Sequence, residues 1–452
     1  MMEKLGERPL LFSNRTLILM TLPLMANTIL GIVAGMVDAA MVSSAGEEAV
    51  SAISLVDSLN LVFTGLLASL GNGGSIITSQ YLGAKNDAKA RISAKQLLYV
   101  VVGISVVAAS VMLCFIPQIL GFIYGSVEPA VFENAKIYFF WTLLGYPLFA
   151  IGNTSGVLLR SMAKNKEAVS IALGSSIINV IGNAVLIYGF DMGVAGAGIS
   201  TTFSRGIWAV AGVILLMNKK YPVHFEKLFS FRLDRDIMTR VLRIGSSNGV
   251  ENFLFKIGRV LVSSIVSSLG TIAIAANSVT NTICNLGWEL VGTIGTVLLT
   301  VIAQCVGAGA LDQVRMYTKK MLRAGSLLML IIFGAIFLLR NWLVLLFDFE
   351  QETLEICANY VAIAVAATIF SCYSFTFVPK AAFRAAGDIR YPIVMSTCSM
   401  FVFRVGLSYL FGVVLHMGLL GVWIGTWADF SFQSICNFVH LRKGTWLKKR
   451  LI

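Results

Sequence analysis

Twelve apolar stretches, each long enough to cross a bilayer as a helix, run through this chain with only short polar breaks between them. A hydrocarbon core about 30 Å thick takes roughly 20 helical residues. The segments 17–43, 52–80, 96–122, 132–158, 168–190, 194–217, 241–268, 272–304, 322–347, 354–379, 391–415 and 418–441 meet that length. Inside lipid the backbone polar groups of a lone apolar stretch must bond within the segment, so such stretches form helices. Composition agrees, with 57% hydrophobic and 13% charged residues where a soluble domain carries about 25% charged. The expected fold class is all-α integral membrane.

The chain also repeats itself. Met41-Val-Ser-Ser-Ala-Gly46 returns as Ile265-Val-Ser-Ser-Leu-Gly270, and Ser79-Gln-Tyr-Leu-Gly-Ala84 as Ala303-Gln-Cys-Val-Gly-Ala308, both 224 residues later. Leu159-Arg160 returns as Phe383-Arg384 at the same offset, and Gly193-Val-Ala-Gly196 as Gly418-Leu-Leu-Gly421 one residue further on. Four nearly equal offsets indicate an internal duplication. Six spans per half is an even number, so both halves begin on the same side and form parallel repeats about an axis along the membrane normal, an arrangement in which substrate binds between the halves. The expected architecture is therefore twelve transmembrane helices in two six-helix lobes around a central cavity. The N-lobe is 1–217, a cytoplasmic linker 218–240, and the C-lobe 241–452. The basic and aromatic content of the linker suits a segment lying at the membrane surface.

The net charge of +12 is distributed in blocks. With residue 1 inside, the cytoplasmic segments hold 29 of the 35 Lys and Arg, and the outer loops only Lys136 and Arg340. This asymmetry puts both termini in the cytoplasm of a multi-pass cell-membrane protein and gives no nucleic-acid-binding face. The seven cysteines form no CxxC and no Cys/His cluster, so they read as reduced packing residues. No cofactor is expected. Three scattered histidines and no clustered catalytic groups exclude a membrane enzyme.

The residues resemble the multidrug and toxic compound extrusion family across the whole chain. The resemblance is carried by Leu22-Pro23, Val37-Asp38 and Met41-Val42, by Gln80 and Gly83, by Leu159-Arg160, by Asn179 with Asn183, by Gly193-Val-Ala-Gly-Ala-Gly, by Gln304 to Gly307, and by Gly421-Val-Trp-Ile-Gly-Thr-Trp-Ala-Asp429. It implies a monomeric antiporter that exports cationic or amphipathic organic compounds by alternating access, driven by inward H⁺ or Na⁺, with membrane lipids around it. In its DinF-like branch a cation site is built from a helix-1 Asp, a helix-5 Asn and Asp four residues apart, and a helix-6 Thr. Asp38, Asn179 and Thr201 or Thr202 match that pattern, while position 183 holds Asn instead of Asp. The NorM-like branch has a helix-7 Glu that falls here at Phe255, with Glu251 one turn earlier, and helix 10 has no carboxylate.

From the residues themselves, Asp38 sits in an apolar helix where its charged form is costly, so it can take up and release protons, and Na⁺ is a possible alternative there. An Arg205 pairing would instead keep it ionised. Asn179 and Asn183 lie one turn apart on one face. Glu251, Lys256 and Arg259 bring charge into helix 7 and call for a polar cavity or partners. Arg404 and Asp429 fall equally far from the turn near His416 and Met417, at one membrane depth, so a salt bridge is expected. Pro23 permits a kink or hinge in helix 1, whereas Arg160 and Arg384 read as topology anchors at helix ends. H⁺ is favoured over Na⁺, because Asn183 leaves fewer hard anionic oxygens for a metal ion. Two other functions fit the same architecture. One is a lipid-linked precursor flippase of the same superfamily, which would show more helices or a strongly cationic cavity, and the other is a channel.

Overall fold

The computed structural model describes residues 9–125, 127–226, 234–347 and 349–448, and these are helical with short turns and no strand. In chain order the helices are α1 (Asn14–Ser43), α2 (Glu47–Gly83), α3 (Asp87–Cys114), α4 (Ile116–Tyr124), α5 (Pro129–Ser161), α6 (Asn165–Asn183), α7 (Gly193–Leu216), α8 (Arg235–Ser267), α9 (Thr271–Gly307), α10 (Leu311–Val344), α11 (Gln351–Phe370), α12 (Tyr373–Ala385), α13 (Arg390–Ser399) and α14 (Gly418–Lys443). α6 continues in a widened, π-type turn over Ala184–Gly189, and α13 in two, Met400–Leu407 and Leu410–Val414.

Ten of the spans are long and apolar enough on their own to cross a membrane. Of the twelve segments expected from sequence, only α8 and α14 fall outside that set. Both carry polar cargo: Glu251, Lys256 and Arg259 on α8, and Asp429, Gln433 and Asn437 on α14. Large apolar side chains stand exposed on the helix surfaces, as in Leu338 and Phe370, each 78% exposed.

Two of the expected helices are broken. The stretch 96–122 divides at Phe115, where Pro117 in the first turn of α4 supplies no backbone donor. The stretch 354–379 divides at Cys372, whose backbone is left-handed (φ 50) and starts a new helix, α12. No glycine or proline marks that second break.

Residues Asn14–Gly249 form one compact unit, and Val250 onward, with the segment before Asn14, forms the other. The first unit closes around Phe139, Leu143 and Tyr146, the second around Val291, Phe333 and Val361. In the second, the chain ahead of α1 is fastened to α10: Leu11 N donates to Gln313 Oε1 (3.0 Å), and Tyr317 Oη bonds Phe12 N (2.9 Å) and Phe12 O (2.7 Å). In the first, the described start of the 218–240 stretch is tied down, with Phe225 N donating to Leu216 O (2.7 Å) and Val223 fully buried. Residues 227–233 lie outside the described residues.

The duplication is written in the backbone. Left-handed or glycine-only conformations recur at the repeat offset: Gly46 with Gly270, Lys85 with Gly309, Ala163 with Gly387, and Asp191 with His416. Gly46 (φ 102, ψ 163) and Gly270 (φ 99, ψ 170) occupy a region that essentially only glycine populates. A Cβ at either would meet nothing within 4 Å, so substitution costs backbone strain alone. Gly46→Ala and Gly270→Ala are each expected to lose about 1–3 kcal/mol and to lower the thermal midpoint by similar amounts in detergent, which differential scanning fluorimetry reads directly.

Candidate functional site

In the first unit a polar cluster forms where α1, α2, α5, α6 and α7 meet. Asp38, half-buried on α1, accepts from Asn183 Nδ2 (3.0 Å), and Asn183 is buried. Asn179, with its amide oriented so that both ends are paired, donates from Nδ2 to Asp38 Oδ2 (3.0 Å) and accepts from the Thr201 N–H (3.3 Å). The two asparagines thus hold both carboxylate oxygens from one face of α6, because their spacing of one helical turn stacks them. Thr201 contributes through its backbone. Thr202 turns away, its Oγ1 donating to Trp141 O on α5 (2.6 Å). Pro23 lies about 22 Å along α1 from Asp38 by helical rise, and the carbonyl of Met20 near it accepts from Asn165 Nδ2 (2.7 Å) at the start of α6.

Arg205 does not take the place of these amides. Its Nη1 donates to Thr142 O (3.4 Å), its guanidinium stacks on Phe149 (5.6 Å), and its carboxylate neighbour is Asp57. Asp57 on α2 was not anticipated from sequence. It accepts from Asn60 Nδ2 (3.1 Å) and Tyr138 Oη (3.1 Å), and Asn60 Oδ1 accepts in turn from Tyr146 Oη (2.9 Å). The signal in the sequence was Asp57 and Asn60 three apart on one face of an apolar helix.

The second unit holds a cavity of about 400 Å³ built chiefly from α8, α9, α12, α13 and α14. A continuous ionic chain runs through its wall. Glu251 Oε2 pairs with Arg384 Nη2 (2.5 Å), and Glu251 Oε1 accepts from Ser396 Oγ (2.9 Å). Lys380 Nζ donates to Ser396 Oγ (2.7 Å) and Gln433 Oε1 (2.5 Å), and Gln433 Nε2 to Asp429 Oδ1 (2.6 Å). Asp429, fully buried, also accepts from Ser399 Oγ and closes the expected pair with Arg404 Nη2 at 2.8 Å. The Arg404 guanidinium lies over Phe255 (5.4 Å) and Phe430 (4.7 Å). Gly425 allows this closeness, since a Cβ there would lie 2.7 Å from Ser408 N and 3.1 Å from Arg404 O, and small residues are how membrane helices approach each other. Arg384, in the last turn of α12, is thus paired with Glu251 at the cavity wall.

On α9 the sequence reading missed a ladder: Asn277, Asn281 and Asn285, then Glu289, four residues apart, all line this cavity. Spacing of four on an otherwise apolar helix puts them on one face. At the repeat offset Asn281 is the counterpart of Asp57, and in the last helix of each half, one residue further on, Asp429 is the counterpart of Ser204 and Phe430 of Arg205, so the duplicated frames carry different charges at equivalent places. The cavity wall presents five cations, Lys256, Arg259, Lys380, Arg384 and Arg404, against the carboxylates Glu251 and Glu289. In both units the widened turns adjoin the polar residues, with Asn183 directly before one and Arg404 inside another.

The MatE family model matches residues 23–185 and 249–410, once in each half. A probable multidrug resistance protein, NorM, of Thermotoga maritima is 24% identical over 97% of this chain and 94% of its own length. An outward-facing multidrug resistance MATE family transporter of the MOP superfamily superposes with a TM-score of 0.89 at 20% identity, covering 96% of each chain. A MOP superfamily transporter from Pyrococcus furiosus, described as having a binding pocket of reverse polarity that suggests a different function, superposes at 0.87 with 20% identity over 96% of this chain and 97% of its own. The likeness extends across the twelve-helix fold.

Proposed function

Because this chain belongs to the MatE family of transporters, we propose that it is a proton-coupled antiporter exporting amphipathic organic compounds by alternating access, with Asp38 as the group that exchanges the proton. One observation carries this reading: both oxygens of Asp38 face amide N–H groups of α6, and Arg205, the cation of α7, is engaged elsewhere. A carboxylate held by neutral donors can be neutralised by a proton without leaving a cation unpaired. Na⁺ would need oxygen ligands, and one or both amides would have to rotate to supply them. Of the substrate classes the family resemblance implies, the aromatic and polar lining of the second unit's cavity supports amphipathic compounds, while its excess of cations weighs against an organic cation at that place. Membrane topology with both termini cytoplasmic follows from the Lys and Arg asymmetry.

The same cationic count favours a second reading, a flippase for a lipid-linked precursor. Efflux of ethidium, a cation, and of 1-pyrenebutyrate, an anion, from proteoliposomes under separately imposed ΔpH and Na⁺ gradients tests the proposal. A pH gradient without Na⁺ is expected to suffice for at least one dye. Efflux that requires a Na⁺ gradient rejects proton coupling, and equal efflux with no gradient indicates a channel. Movement of a fluorescent polyprenyl pyrophosphate across the same vesicles, with both dyes retained, favours the flippase.

A further inference from the structure

The second unit's cavity is lined by more cations than carboxylates. Glu251 is taken up by Arg384 and Ser396, and Asp429, behind the wall, is shared by Arg404, Gln433 and Ser399. The two acceptors of buried Lys380 are neutral, a hydroxyl and an amide oxygen. Arg259 feels Arg404 as a like charge and has Glu289 as its carboxylate neighbour. Even with Asp429 counted, the five cations outnumber the carboxylates by two. Excess like charge around a cavity with low-dielectric walls focuses a field that raises the local concentration of the opposite ion. Around these cations stand Phe255, Trp288, Tyr373, Phe377 and Phe430, broad apolar faces suited to a planar or aliphatic body. The asparagine ladder of α9 supplies neutral donors between charge and aromatic wall.

We propose that this cavity is a binding site for an amphiphilic organic anion, a carboxylate or phosphate group on an apolar body, with Arg259 and Lys256 meeting the anionic group and Trp288 lying against the apolar part. The inference rests on the transporter reading above and names a ligand class for it. It does not depend on which ion drives transport.

Two probes of like shape and opposite charge test it: 1-pyrenebutyrate and 1-pyrenebutylamine, with energy transfer from tryptophan to pyrene reporting occupancy, since Trp288 and Trp423 line the cavity. With the full-length protein in neutral detergent, the carboxylate is expected to bind about tenfold tighter than the amine, a difference equivalent to about 1.4 kcal/mol, and the preference should shrink as salt is raised. Arg259→Glu should remove or invert the preference. Lys256→Gln should reduce it several-fold and serves if the first variant does not fold. In nanodiscs of phosphatidylcholine, displacement of the carboxylate by added phosphatidylglycerol identifies a lipid phosphate as the anion, and undiminished binding identifies a soluble one. Equal or tighter binding of the amine, or a carboxylate preference untouched by both substitutions, overturns the proposal. Proton-driven efflux measured on the same preparation separates the readings. Intact coupling without anion preference sinks only this inference, and anion preference without coupling sinks only the proton-exchange reading.

Discussion

Asp38→Asn is expected to reduce gradient-driven export to the leak rate while the protein still folds and inserts. Asn preserves the volume, and its amide can still bond to Asn179 and Asn183 after rotation, so packing of α1 on α6 survives. What is lost is the titratable group through which a proton gradient acts in this account. A ligand shifts a conformational equilibrium only by its differential affinity for the two states, and a side chain that cannot take up a proton gives the gradient no such affinity to use. Asp57→Asn should be milder in transport, because Asp57 is embedded with Asn60, Tyr138 and Arg205. Dye efflux from proteoliposomes, normalised to reconstituted protein, checks both. Wild-type rates for Asp38→Asn would remove Asp38 from the coupling role.

The second large effect concerns stability. Arg404→Met or Asp429→Leu alone leaves a charge buried without its partner, and breaking such a pair typically costs about 3–5 kcal/mol. Asp429 is fully buried, and its remaining partners, Ser399 and Gln433, are neutral, so Asp429 left alone should be the worse case. The double variant should recover much of the loss. Thermal unfolding of the two single variants and the double in one detergent gives the coupling energy, and additive losses would mean that the 2.8 Å pair contributes nothing of its own.

The fold was legible because membrane solvation leaves few choices. Length and polarity located the spans, and the 224-residue offset marked turns whose glycines share unusual backbone angles, Gly46 with Gly270 above all. The Arg404–Asp429 pair could be read from distance to a turn, since helical rise converts sequence separation into depth. The break at Cys372 was not legible. Its left-handed backbone comes with a long-range contact, Ser434 Oγ donating to Cys372 O (3.2 Å), and no local residue announces it. Arg384 stands in the last turn of α12, as a cation at a helix end, but its partner Glu251, 133 residues away, could not be found from sequence. Asp57 and the α9 ladder had local signals, but a polar residue in an apolar stretch gains meaning only when the facing helix is identified. Thr201 and Thr202 could not be separated by sequence, because adjacent helical residues point about 100° apart and only the packed α7 shows which one meets Asn179.

The most direct test asks whether Asp38 itself changes protonation. Infrared difference spectra of the reconstituted protein, recorded as pH is lowered in Na⁺-free buffer, should show a protonated-carboxyl band that is missing from Asp38→Asn and unchanged in Asp429→Asn, and the band should persist when substrate is absent. Identical difference spectra for wild type and Asp38→Asn, or a carboxyl response that arises only on adding Na⁺, would contradict proton exchange at Asp38.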